Sequence, residues 1–240
     1  MNIRLPMLEL AVALSCVLTA PGVCAADAIT DAMQAAYAPY RAALFRTNSK
    51  AQAESEKAIA DAQQSWQRLI SRFAAKPFAP YDRDAEFSAT LNAVNQVYAK
   101  AQQQIAKQQL SEAHETLEAA RDLMAQLRQR NNVVIFSDHM NAYHAEMEHV
   151  LQQGAQLASA PQGMMLLMAR AGVLEYLAGR LHSEAPAAWQ ADADFNAMHK
   201  AVQASVVALR SGLLSQDTSA VRQALEKLKA PYSRMFLKFG

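Results

Sequence analysis

Apolar side chains recur every three or four residues along nearly the whole chain, and hardly ever every two. That period lays them along one face of an α-helix and leaves no alternating pattern for a strand. Met33, Tyr37, Tyr40 and Leu44 form one such face. Ile59, Ala62, Trp66, Ile70 and Phe73 form a second, and Phe87, Leu91, Val94, Tyr98, Ala101 and Ile105 a third. The positions between them hold mostly Ala, Gln, Leu, Glu and Lys, which give up little side-chain freedom in a helix. The pattern predicts eight helices, over about 29–46, 50–74, 84–108, 111–130, 138–158, 161–182, 192–211 and 218–237. Pro39 is expected to bend the first, because it removes a backbone donor. Ser111 is expected to cap the fourth and Ser137 or Asp138 the fifth.

A second regularity groups these helices. Asp84-Ala85-Glu86-Phe87 returns as Asp192-Ala193-Asp194-Phe195, an offset at which Val94 meets Val202, Ile105 meets Leu213 and Leu117 meets Leu225. Each half then holds four helices with short loops, and short loops make neighbouring helices antiparallel. The expected fold is all-α, two tandem up-down four-helix bundles, with a first bundle over residues 26–132 and a second over 133–240. The alternative is a helical-repeat array, for which Ile105 to Ala113 has the right cadence but no fixed period carries through.

The first 25 residues read as a secretory signal peptide: Arg4, an apolar stretch from Leu8 to Leu18, the breakers Pro21 and Gly22, and a small residue at Ala25. Cleavage there implies a periplasmic or secreted protein with no membrane span afterwards. The richest later stretch, Met164 to Leu181, is interrupted by Arg170, Glu175 and Arg180 and reads as a buried amphipathic helix. Both cysteines, Cys16 and Cys24, fall inside the signal, so thiolate chemistry and disulfides are not expected beyond it. The formal net charge is +1, with no basic stripe, which argues against a nucleic-acid partner.

The C-terminal hairpin resembles that of the soluble periplasmic b-type cytochromes. Ala208-Leu209, the polar break Ser215-Gln216-Asp217, Ala220, Ala224, Leu225-Glu226-Lys227-Leu228-Lys229 and Tyr232 carry the likeness. The resemblance implies a four-helix bundle holding non-covalent haem between a Met of its first helix and a His just after the matching Tyr. Here Ser233 follows Tyr232, so that histidine is missing at its matching position.

The densest set of ligand-type residues is Asp138 to His149, with His139, His144 and His149 among carboxylates and methionines. On a helix, His139 and His144 fall on opposite shoulders of an apolar seam, His144 stands one turn before Glu148, and His149 points outward. In an up-down second half, His182 and His199 belong at the same end. The candidate metal ligands are His139, His144, Glu148 and His199, with Met140 and His182 in reserve. Imidazole and carboxylate suit zinc, iron or Cu(II), methionine suits Cu(I), and haem is the other candidate cofactor. His114, near Glu118 and Arg121, reads as a surface ion-pair cluster. No phosphate-binding glycine loop, nucleophile elbow or His-Glu-x-x-His run marks an enzyme. The expected function is non-catalytic binding of a transition metal or haem. The alternative is a cell-envelope interaction or scaffold protein, with the Phe78 and Tyr81 loop and the Tyr232-to-Phe239 tail as its contacts.

Overall fold

The structure, a computed structural model, describes residues 27–240; the expected signal peptide lies outside the described residues. Among these the chain is all-α. The helices are α1 (Ala28–Asn48), α2 (Gln52–Phe73), α3 (Phe87–Ala106), α4 (Leu110–Arg130), α5 (Phe136–Leu157), α6 (Gly163–Ser183), α7 (Ala187–Gln190), α8 (Ala193–Leu214) and α9 (Thr218–Phe239). Eight of these nine helices answer to those expected from the apolar period. The addition is α7, a single turn inside the link that carries Pro186.

Helix starts follow side-chain chemistry where an aspartate is available. Asp27 accepts from the Thr30 N–H at 2.7 Å, Asp192 from Phe195 at 2.8 Å, and Asp217 from Ser219 and Ala220 at 2.9 and 3.0 Å. The two serine caps expected from the sequence are not used. α4 starts at Leu110, one residue before Ser111, and α5 starts at Phe136. Asp138 serves α5 from inside its first turn, accepting the Ile135 N–H at 3.0 Å. α1 runs unbroken through Pro39. Tight links turn through left-handed residues that are not glycine: Lys50, Gln108, Asn132, Gln162 and Gln216.

α1 packs on α2 and α4, and α3 on α2 and α4, which closes a ring of four. α5 packs on α6 and α9, and α8 on α6 and α9, which closes a second. An open array would leave the first and fourth helices of each half apart. The two rings repeat one another: α1 and α4 start at Ala28 and Leu110, α5 and α9 at Phe136 and Thr218, each displaced by the offset seen in the sequence. Gln108 and Gln216, at that same offset, both turn left-handed.

Each half has its own buried aromatic centre. In the first, Trp66 donates its indole N–H to the Leu91 carbonyl at 2.8 Å, and Tyr40 donates to the Leu117 carbonyl at 3.1 Å. In the second, Phe136, Trp189, Phe195 and Phe239 pack edge to face at one end. The halves meet along α1 and α9, where Tyr37 sets its edge against Phe236. A buried ion pair pins the link between them: Arg128, 1% exposed, holds Asp138 through Nε and Nη2.

Candidate functional site

The six predicted ligands separate into four groups. Among the described residues, no three His, Cys, Asp or Glu side chains come together as a metal-holding group. His139 lies 3.9 Å from Glu184, and burial lowers its pKa. Met140 is fully buried in the core, where its carbonyl accepts from the Tyr232 hydroxyl at 3.2 Å. His182 and His199 lie with ring centroids 5.2 Å apart, tilted to one another, and His199 stacks on Phe195. His144 and Glu148 face the other half of the molecule. The physical reason is helical phase: five residues turn His144 by roughly 140° from His139, so the two point at different neighbours.

His199 takes the place that Leu91 holds in the first half, and it is 6% exposed. Its Nε2–H donates to the Ala178 carbonyl at 2.8 Å, which leaves Nδ1 as the acceptor. Burial lowers its pKa, so the neutral ring is favoured.

The richer site is a groove between the halves, built by α1, α4, α5 and α9. Its outer part encloses about 400 Å³ and is lined by Asn48, Glu118, Gln152 and Lys229 beside the histidines. It leads to a narrower inner pocket walled by Leu44, Phe45, Tyr232 and Phe236. A chain of contacts runs across it. His114 Nε2 is 3.7 Å from Glu118, and Arg121 is also 3.7 Å from Glu118. Arg121 Nη1 donates to His144 Nδ1 at 3.0 Å. His144 Nε2 lies 3.4 Å from Glu148 Oε1, and Lys229 Nζ lies 2.8 Å from the same oxygen. The Lys229 contact is a charge pairing, and the His144 contact sets a ring N–H toward the same carboxylate oxygen.

The ring states follow from the donors. A guanidinium only donates, so His144 Nδ1 accepts and Nε2 carries the proton. His114 donates Nδ1–H to the Leu44 carbonyl at 3.1 Å, so its Nε2 lone pair faces Glu118 and the groove. Burial lowers the His114 pKa, which keeps that lone pair available. The Glu148 carboxyl is held down to about 2 by the adjoining His144 ring, against its own burial, with Lys229 assisting. His144 stacks on Tyr232, ring centroids 5.5 Å apart.

The structure sets the expected ligands in separate surroundings. His144 and Glu148 do form a pair, yet both ring nitrogens of His144 are engaged and two fixed cations, Arg121 and Lys229, already occupy the space around the carboxylates. A metal ion there would meet like charge and no free imidazole lone pair on His144. Ser233, which follows Tyr232, lines the inner pocket. His114 belongs to the groove rather than the surface, with its side chain 21% exposed. His149 is outward, 57% exposed, as its helical phase requires. The expected aromatic contacts are mostly internal: Tyr81 is fully buried, and Tyr232, Phe236 and Phe239 nearly so.

Sequence reasoning tied Arg121 to His114 and Glu118 on its own helix but missed its contact with His144, and it missed Lys229 as a site residue. Those partners lie on α5 and are reached only through tertiary packing. Comparison with known proteins finds no family model, curated protein or solved structure that matches this chain.

Proposed function

We propose that this is an exported, non-catalytic binding protein that takes a small uncharged or zwitterionic organic molecule in the groove between its halves. The observation that carries the reading is the composition of the groove. Two carboxylates, Glu118 and Glu148, are matched by two cations, Arg121 and Lys229, in a concave site of ligand size with an apolar inner end. A balanced set of charges gives a strongly anionic or cationic molecule no net attraction. It offers separate partners to a zwitterion, and donors and acceptors to a neutral polar head. Asn141 adds a buried amide donor without a partner at the inner pocket. A short apolar group fills the inner pocket while the polar head lies in the outer groove.

Four probes that share an isobutyl end separate the charge classes: leucine, isovaleramide, isovalerate and isoamylamine. Their effect is read in amide correlation spectra of the isotope-labelled protein. Leucine and isovaleramide are expected to shift Asn48, His114, Arg121, Asn141 and His144, and the singly charged probes to shift them much less. Shifts scattered over the surface, or confined to isovalerate or isoamylamine, defeat the proposal.

A second reading keeps the metal idea at the His182–His199 pair alone. The favouring observation is the His199 Nε2–H bond to a backbone carbonyl, the orientation that supports a metal-bound imidazole through its other nitrogen. Calorimetric titration with zinc and with copper tests it; equal heats for the natural protein and His199→Ala dispose of it.

A further inference from the structure

The two carboxylates of the groove are not equally engaged. Glu148 has Lys229 at 2.8 Å and the His144 ring N–H turned toward it. Glu118 makes no hydrogen bond among the described residues. Its two neighbours, His114 Nε2 and Arg121 Nη1, both stand 3.7 Å away, beyond hydrogen-bonding distance. Its side chain, 37% exposed, borders the groove.

His114 meets Glu118 with the wrong nitrogen for an internal hydrogen bond. A backbone carbonyl only accepts, so the Nδ1 that bonds Leu44 at 3.1 Å carries the ring proton. Nε2 is then a lone pair, and burial favours this neutral ring. A lone pair and a carboxylate oxygen therefore confront one another across 3.7 Å, two acceptors with no donor between them. A nitrogen carrying two or more N–H groups, set about 2.9 Å from each, satisfies both at once. Beside a carboxylate such a donor binds most strongly when it is positively charged.

We infer that the gap between His114 and Glu118 takes the primary ammonium group of an amino acid, whose carboxylate turns to Arg121 and Lys229. The inference rests on the groove being the binding site proposed above, and it narrows the ligand to amino acids with a free amino group. The two cations keep donors for the carboxylate. A guanidinium has five N–H groups and an ammonium three; Arg121 gives one each to His144 and Asp122, and Lys229 turns to Glu148. Arg121 Nη1 is 3.7 Å from Glu118, so the ammonium and carboxylate borne on one α-carbon find opposite charges side by side. His114 and Glu118 border both the outer groove and the inner pocket, where Leu44 and Phe45 form an apolar wall for the side chain. A divalent metal ion suits the gap less well. It brings two positive charges beside Arg121 with no anion of its own, and finds one imidazole and one carboxylate where zinc takes three or four protein ligands.

Calorimetric titration of the full chain with leucine, isovaleramide and leucine betaine, the N,N,N-trimethyl derivative, tests the inference. The betaine keeps both charges and the isobutyl end but has no N–H group. Leucine is expected to bind at least about tenfold tighter than either. Glu118→Gln should weaken leucine at least about tenfold while keeping the helical circular dichroism of the natural protein, because Glu118 makes no hydrogen bond in the fold. The inference and the reading it rests on fail separately. Isovaleramide or the betaine binding as tightly as leucine overturns the amino-group assignment and leaves the groove as a site for neutral and zwitterionic molecules. Leucine binding indifferent to Glu118→Gln overturns the assignment too. No heat, and no amide shift at the groove, from any of the three compounds overturns both.

Discussion

Removal of the Asp138 carboxylate leaves a buried charge unpaired at the link between the halves. Arg128 is 1% exposed, and Asp138, 23% exposed, is its ion-pair partner. Asp138→Ala strands a buried guanidinium, a loss of about 3–5 kcal/mol when one partner of a buried pair is deleted. The partial exposure of Asp138 lets water replace some of the lost contact and puts the value near the lower end, about 3 kcal/mol. The same substitution leaves the Ile135 N–H at the start of α5 without its acceptor, for about 1 kcal/mol more. The expected total is about 4 kcal/mol. Most of it should return in Arg128→Met/Asp138→Ala, because the stranded charge goes and methionine fills the buried stem; that double variant should lie within about 1–2 kcal/mol of the natural protein. Urea unfolding followed by helical circular dichroism measures all four members of the cycle, provided their m-values agree. A loss below about 1 kcal/mol for Asp138→Ala, or a double variant no better than the single one, would refute the assignment of this pair as the buried pin between the halves.

Three further perturbations have signed outcomes. His199 has a pKa lowered by burial, so its neutral form is favoured by folding and stability declines as pH falls from its unfolded value of about 6.5 through the folded one. His199→Leu, which restores the residue type of Leu91, should remove up to about 1.4 kcal/mol per pH unit of that slope, measured by urea midpoints between pH 7 and 5. Glu148, held down to about 2 from an ordinary 4.5, stabilises the fold above the higher value, and that stabilisation fades as pH drops from 4.5 toward 2. Glu148→Gln should therefore cost about 1–3 kcal/mol near neutrality and flatten the acid limb of the melting curve; an unchanged acid limb would show that the carboxylate is not paired in solution. Gly212 and Gly179 should respond in opposite directions to alanine. A Cβ on Gly212 meets the Val221 backbone nitrogen at 3.0 Å, where α8 and α9 approach, and should cost about 1–3 kcal/mol. Gly179 has open space, so Gly179→Ala should gain up to about 1 kcal/mol, and thermal melts that rank the two the other way would contradict the packing.

How far the sequence reaches can be traced through particular residues. Phe87 and Phe195 were matched by the repeated Asp-x-acid-Phe motif, and both are buried at the start of corresponding helices. Trp66 and Tyr98 were placed on inward faces by period alone, and both are fully buried. The turns were harder: Gln108, Gln162 and Gln216 adopt left-handed conformations that glycine usually signals, so their sequence carried no mark. The serine caps failed for a related reason, since Asp138 does its capping from within the helix and Ser111 does none.

The candidate site divides along the same line. Helical phase, a local property, correctly sent His149 to solvent and set His144 beside Glu148. It could not say what stands opposite a shoulder, because that depends on which other helices lie across from it. α4 brings Arg121 to His144, and α9 brings Lys229 to Glu148. A reading based on ligand-type residues along one chain segment therefore could not include the cations that tertiary packing sets among them. The sequence by itself determined the all-helical build, the repeat and the residues of the core, because burial there depends on spacing within each helix. Tertiary structure alone decided which cations meet which carboxylates, and left Met165, Leu166, Val173 and Tyr176 of α6 exposed, because those facts depend on neighbours distant in the chain.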